Sequence, residues 1–389
     1  MNNGTDDKPI DRGDRKNGEI LVVGGSAAGL YAAGFLARAG KPVRVLESRP
    51  GFETSPRTLI VTDHFQNQIS ASAKSCILNK INRFELFTDG RSAQFALKKP
   101  DLIIERSRLI RSLSEEAVHA GVRLNYNTRF LGLHPNGSGL KIEADEAGSR
   151  KEYHAQSVVG ADGAVSRVAR AAGWPPVETV PLVQAVIRLP KDCPPDTTRV
   201  WFIPDDTPYF YWLIPESSGR AAVGVIGENG QATKLSFDRF LQKKGFEPLE
   251  WQGARIPVYR RWVPVQRTVG NGEVYLVGDA AAQVKVSTVG GIVTGLRGAR
   301  GVADAILHNG KSELLALRRE LSTHWLIRRT LHYFQQADYS RLVDMLNDST
   351  RESLGKINRD ESTRLLWNVI RTQPKLVLMG LRGLLLGRK

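Results

Sequence analysis

Apolar and polar positions along the chain fall into blocks of two different periods. The first block opens at EILVVGG (19–25), a short apolar run ending in glycine, and residues 27–39 then carry Ala, Leu and Gly at helical spacing until Gly40 stops them. A second apolar run, PVRVLE (42–47), ends in an acid, so the pattern predicts strand, tight turn, helix, strand. Leu109, Leu113 and Ala117 repeat at helical spacing within IIERSRLIRSLSEEAVHAG (103–121). Two later apolar runs, SVVGADG (157–163) and EVYLVGD (273–279), read as strands closing on Asp-Gly and Gly-Asp. After the second, AAAQVKVSTVGGIVTGLRGARGVADAIL places paired glycines before an Ala/Gly-rich helix able to pack closely. Between these blocks PYFYWLIPESSGRAAVGVIG (208–227) alternates with period two, which sets Phe210, Trp212 and Ile214 on one face of a strand. Plain sheet core would show the same alternation.

Composition narrows the class. A chain of 389 residues holds about two joined domains plus an appendage, and 41% hydrophobic with 7% aromatic residues excludes a disordered chain and a polytopic membrane protein. Cys76 and Cys193 are far apart with no His or Cys cluster near them, so no disulfide framework and no metal site are expected, and the default setting is cytoplasmic. Residues 1–18 are polar, are expected to be flexible, and lack the apolar core of a secretory signal.

The net charge of +15 calls for an anionic partner: nucleic acid, anionic lipid or an anionic cofactor. From Ser362 to Lys389 the basic residues Arg364, Arg371, Lys375, Arg382, Arg388 and Lys389 stand among apolar runs with no acid. That pairing suits peripheral contact with a membrane surface, and nucleic acid is disfavoured because no recognition motif accompanies the charge. The run from Leu376 to Gly387, about 12 residues, falls short of the roughly 20 that span hydrocarbon. A buried or dimer helix is the other reading of the same residues.

The strand–turn–helix–strand unit has its own chemistry. Gly24 allows the turn, Gly29 lets helix and strand approach, and the helix start at Gly25, Ser26, Ala27 and Ala28 offers N–H groups to a pyrophosphate. Glu47, 18 positions after Gly29, is placed to bind ribose hydroxyls, and Ser26 stands where the middle glycine of G-x-G-x-x-G is usual. Alone, this unit fits NAD, FAD, or an α/β unit without nucleotide. A single nicotinamide domain has no use for the later Asp-Gly and Gly-Asp strands, although each dipeptide is also a common turn and Arg106 reads equally as a solvated helix charge.

Taken in chain order, G-x-x-x-x-G, Arg-rich helix, DG and GD resemble the fingerprint of the large FAD superfamily that includes aromatic hydroxylases (group A flavin monooxygenases) and geranylgeranyl reductases. The resemblance implies that Gly278 and Asp279 meet the ribityl chain, Asp162 braces the phosphate region from behind, and Arg106 faces the phosphate and adenosine part of FAD. It also implies that Gly290, Gly291 and Ile292, at a helix start, present amides to the flavin N1–C2=O edge. GDAAAQVKVSTVGGI most resembles the geranylgeranyl reductase branch, which reads like GDAAGQVKPTTGGGI, with Ala282, Val286, Ser287 and Val289 as departures. Phe210 to Pro215 parallel that branch's Y-x-W-x-F-P strand, whose face of Phe210, Trp212 and Ile214 walls the substrate cavity.

The implied fold is α/β. A Rossmann-type FAD-binding domain (19–60, 100–178, 265–310) is interleaved with a mostly antiparallel substrate sheet (61–99, 179–264) and followed by C-terminal helices (311–389). The implied activity is FAD-dependent reduction of carbon–carbon double bonds in an apolar, isoprenoid or lipid-like substrate. No second G-x-G-x-x-G unit is present, so NAD(P)H, a ferredoxin and a partner reductase all remain open as electron donor. The branch's cysteine motif is missing from RPGFETSPRTLIVTDHF (49–65); His64, Asp63 or water could deliver a proton, and no catalytic residue is assigned. Two other readings stay in play: a non-catalytic FAD-binding lipid protein, and a monooxygenase or halogenase using O2. The strand at 210–215 also matches part of the halogenase W-x-W-x-I-P signature. Against that, Leu30 replaces the halogenases' usual Trp, and Lys74 is merely the nearest lysine.

Overall fold

The computed structural model describes residues 18–51, 56–361, 363, 364, 367 and 371; residues 1–17 and the apolar basic run at 376–387 lie outside the described residues. The first half of the chain forms β1 (Ile20–Val23), α1 (Ala27–Arg38), β2 (Val43–Leu46), β3 (Thr58–Val61), β4 (Ile77–Thr88), β5 (Arg91–Glu105) and α2 (Arg106–His119). Then come β6 (Arg123–Asn125), β7 (Thr128–Asn136), β8 (Gly139–Glu146), β9 (Ser149–Ala155), β10 (Ser157–Gly160) and α3 (Arg167–Ala171). The second half forms β11 (Thr179–Arg188), β12 (Thr197–Trp201), β13 (Tyr211–Pro215), β14 (Arg220–Ile226), α4 (Gly230–Lys244), β15 (Glu250–Pro257), β16 (Gln266–Val269) and β17 (Gly272–Leu276). Helices α5 (Ile292–His308), α6 (Ser312–Leu331), α7 (Gln336–Asp344) and α8 (Asp348–Lys356) follow.

Three sheets result. The first runs β16-β17-β10-β1-β2-β6 and is parallel except for the β16–β17 hairpin. All four residues of β1 are buried, as a central parallel strand requires. Its register, Val23 opposite both Gly160 and Leu46, brings the carboxyl ends of three strands together, so Gly24, Glu47 and Ala161 meet at one edge. Helix α1 packs on α2 and α5, and its Ala28, Gly29, Ala32 and Ala33 are all buried because small residues allow the close approach.

The second sheet runs β15-β11-β14-β13-β12-β4-β5-β3 and is antiparallel except where β12 meets β4. Alternation along β13 sorts its side chains: Tyr211 and Leu213 join Phe237 and Phe240 of α4, while Phe210, Trp212 and Ile214 join Phe84, Ile103 and Val284 on the opposite face. The third sheet is the meander β7-β8-β9. Leu317 and Leu321 of α6 pack on Tyr259 and Val286, which fixes the C-terminal helices against the loop after β17. Among the described residues no helix is long and apolar enough to cross a membrane.

Candidate functional site

A cavity of about 440 Å³ lies at the carboxyl edge of the parallel sheet, where α1 begins. Gly24 holds φ +105°, and a Cβ there would sit 2.6 Å from the Ala161 carbonyl oxygen. A Cβ on Gly29 would lie 2.3 Å from the Gly24 oxygen, so both positions require glycine for the turn to close. Ser26 is the N-cap of α1 and its hydroxyl accepts from Gly29 N at 3.2 Å, which explains serine in place of the usual glycine. The unpaired first-turn amides of the helix, at Ala27 and Ala28, then border the cavity. Glu47 accepts from Gly25 N at 2.7 Å and Arg49 N at 2.9 Å, which ties the end of β2 to the glycine turn.

The cavity wall is rich in charge. Arg49, Arg57, Arg106, Arg129 and Arg167 face only three carboxylates, those of Glu47, Asp162 and Asp279. Burial raises the Asp279 carboxyl, against the opposing pull of Arg57 and Arg106. Burial pushes Arg106 down to about 10, with the positive charges of Arg57 and Arg49 adding to the effect. Arg57, missed in the sequence reading, is also lowered by burial, and its Nε is buried without a hydrogen-bond partner. Arg57 and Arg106 are both desolvated near Asp279, with Glu105 also acting on Arg106, and a bound anion would offset the cost of burying the two guanidinium groups. The donor set therefore fits the pyrophosphate of FAD: helix amides, arginines in excess and an orphaned Arg57 Nε. Asp162 also lines this cavity, but its carboxylate is engaged with Ser166 Oγ and Arg167 N, both at 2.6 Å, and so caps α3.

Beyond Gly278 and Asp279 the chain makes a short 3-10 turn and then the loop to α5. Lys285 N donates to Gly290 O at 3.0 Å, closing the loop, and Gly291 is the N-cap of α5 with no side-chain cap. Gly291 and Ile292 border the first cavity and also a second one of about 130 Å³, which Gly290 lines too. Leu59, Leu182 and Val289 complete the shared wall. The far side of the second cavity is Phe210, Trp212 and Ile214. Trp212 Nε1 donates to Gln184 Oε1 at 3.0 Å, so its ring is fixed against the cavity.

The structure thus brings together the glycine turn, Glu47, Arg106, Gly278, Asp279 and the Gly290–Ile292 loop, with the aromatic face of β13 behind that loop. It does not bring Asp63, His64 or Lys74 to either cavity. Asp63 is bonded to Asn358 and lies 3.2 Å from Lys99, His64 lies 3.8 Å from Asp360, and Lys74 is exposed on a separate 3-10 turn. Two cations missed in the sequence do line the second cavity, Lys285 and Arg359, paired with Asp360 and Asp101 respectively. Lys285 had a signal, a charge between the buried Val284 and Val286. Asp360 had none.

Comparison with known proteins agrees with this geometry. Residues 17–311 match the family model described as FAD binding domain. The chain is 30% identical over 303 residues to digeranylgeranylglycerophospholipid reductase 1 of Methanopyrus kandleri, covering 72% of this chain and 77% of that one. It is 26% identical over 357 residues to digeranylgeranylglycerophospholipid reductase 2 of Methanothermobacter thermautotrophicus, covering 86% and 90%. Among solved structures, a geranylgeranyl bacteriochlorophyll reductase-like protein from Thermoplasma acidophilum superposes with TM-score 0.76 at 21% identity, over 93% of this chain and 98% of that one. The p-nitrophenol 4-monooxygenase of Pseudomonas putida follows the same fold, with TM-score 0.67 at 16% identity over 87% and 96%. A match across most of the chain, on a cavity whose donors suit a dinucleotide, means that the chain belongs to the FAD-binding domain family, as an FAD-dependent oxidoreductase of its geranylgeranyl reductase-like branch.

Proposed function

We propose that this oxidoreductase reduces carbon–carbon double bonds of an apolar, isoprenoid-like lipid. The observation that carries the reading is the wall shared by the two cavities: the aromatic face at Phe210, Trp212 and Ile214 looks across a small, mostly apolar space at the loop that also borders the dinucleotide cavity. The names of the curated relatives, which are reductases of a prenyl lipid, support the same substrate class. Bound FAD supplies the hydride, from flavin N5.

The chain's own residues do the rest. Glu47, Arg57, Arg106 and Asp279 would hold the cofactor's polar parts, and the amides at Gly290 and Gly291 would stabilise negative charge on its reduced ring. Phe210, Trp212 and Ile214 exclude water and orient the alkene. Neither Cys76 nor Cys193 lines either of these two cavities. We assign electron supply to NAD(P)H, a ferredoxin or a partner reductase, and peripheral lipid contact to the basic C-terminal run.

Anaerobic reduction of the FAD-loaded protein followed by a panel of polyprenyl lipids tests the reading. Flavin reoxidation with a gain of two hydrogens per reduced bond is expected. Flavin that stays reduced until O2 is admitted overturns it in favour of oxygen chemistry.

A further inference from the structure

Within the loop from Ala280 to Gly291, Lys285 is the one charged side chain, and it is 5% exposed. Its backbone is bonded to Gly290, and its side chain folds back over the same residue: a Cβ on Gly290 would lie 3.2 Å from Lys285 Cε and 3.6 Å from Nζ. The ammonium therefore sits directly behind the glycine loop. Its partner is Asp360, buried and held by the Thr62 hydroxyl, with Asn358 Oδ1 accepting from Asp360 N at 2.8 Å. Lys285 and the Thr62 hydroxyl hold Asp360 down at about 2 despite its burial, so its carboxylate is charged at neutral pH. The neighbouring groups are mostly matched: Glu320 and Glu313 share Arg297, and His64 lies 3.8 Å from Asp360. Arg359 is matched by Asp101, and burial together with the charge of Lys285 pushes His324 down to about 3, so that its ring is neutral. A buried pair of this kind is commonly replaceable by apolar residues without loss of stability, so stability alone does not account for it.

We propose that Lys285 is an electrostatic positioning residue for the cofactor: its charge behind Gly290 and Gly291 favours the reduced, anionic flavin, and Asp360 attenuates that effect from the C-terminal segment. This rests on the reading that FAD lies against the Gly290–Gly291 loop. A charge as buried as that of Lys285 is screened less than one in open water, so the sign of each substitution is fixed. Removing the ammonium disfavours the reduced cofactor. Removing the carboxylate favours it.

The experiment is the midpoint potential of the FAD-loaded full chain, measured anaerobically against a reference dye with no lipid present. Lys285→Met is expected to weaken binding of reduced relative to oxidised FAD about tenfold, which for a two-electron couple lowers the potential by about 30 mV. Asp360→Asn is expected to move the potential the other way, and the double variant to return toward the parent. One common potential for all four proteins, or single variants shifting in the same direction, overturns the proposal. Lys285→Met leaves a buried carboxylate alone; where that variant does not fold, Asp360→Asn with Lys285→Arg carries the test, and an unraised potential in Asp360→Asn is decisive against it. Asp279→Ala is the control for the underlying reading: if it binds FAD as tightly as the parent, the placement of the cofactor is wrong, whatever the potentials show.

Discussion

Ala282 and Val289 both hold positive φ, +52° and +55°, in the loop where the geranylgeranyl reductase pattern has glycine. An L-residue in that region costs roughly 1 kcal/mol, and a β-branched one is a true outlier, so the loop carries local strain that glycine would relieve. Ala282→Gly is therefore expected to leave the unfolding midpoint unchanged or raised. Ala32→Gly, in the fully buried interior of α1, should lose about 1 kcal/mol or more. Denaturant unfolding compares the two directly, and equal destabilisation would refute the strain. At the cofactor, Glu47→Ala frees the amides of Gly25 and Arg49, and Asp279→Ala leaves Arg57 and Arg106 without their carboxylate. Flavin fluorescence titration should show both weakening FAD binding by about tenfold or more, since a hydrogen bond to a charged group is worth roughly 1.5–3 kcal/mol. Glycine spacing and terminal acids made most of these positions readable. Arg57 was not, because nothing in TSPRTLIV says that β3 pairs with β5 and so carries Arg57 to the buried end of α2.

Elements were legible where one period repeats. The alternation of residues 210–214 told which side chains share a face, and the structure shows what that face meets: the α5 loop on one side of β13 and α4 on the other. Trp212→Ala should empty that wall and leave Gln184 Oε1 without its donor, at a cost of roughly 3–5 kcal/mol. Trp212→Phe keeps the ring and gives up one hydrogen bond, about 1 kcal/mol. Anaerobic flavin reoxidation by lipid should fall steeply in Trp212→Ala and little in Trp212→Phe; equal losses would assign the residue to the core alone. The C-terminal helices were not legible in this way, because the bonds that seat them join residues 75 and 258 positions apart, and periodicity names a face but not its partner. Helix α6 adds a pH signature. Its His324, bonded to Ser287 at 2.6 Å, is pushed down to about 3 by burial, whereas the unfolded chain protonates it near 6.5. Below about pH 6.5 the unfolded state holds one more proton, so stability is full above that value and falls as pH drops toward 3, by up to about 1.4 kcal/mol per unit. Denaturant unfolding at pH 7 and pH 5 should show this loss in the parent and a smaller one in His324→Gln.

At the scale of the whole molecule the question is where a net charge of +15 is used. Part of it is interior: the excess of arginine over carboxylate around the first cavity is of the size a pyrophosphate neutralises, so that share disappears when FAD binds. The acid-free stretch from Ser362 to Lys389 cannot be neutralised in this way, and it mixes its cations with Leu376–Met379 and Leu384–Leu386. Cations spaced among apolar residues gain both from the negative surface potential of anionic lipid, about 1 kcal/mol per Lys or Arg, and from apolar burial at the headgroup boundary. Deletion of residues 375–389 removes Lys375, Arg382, Arg388 and Lys389, and should lower sedimentation with anionic liposomes at least tenfold while leaving FAD content unchanged. Raising the salt should weaken parent binding and narrow the difference, because the electrostatic share is screened within a Debye length. The two measurements separate the uses of the charge. Unchanged sedimentation after the deletion would remove the tail from lipid contact and leave the cofactor cavity as the assigned use of the positive charge, whereas lost flavin would mean that the tail belongs to the folded core.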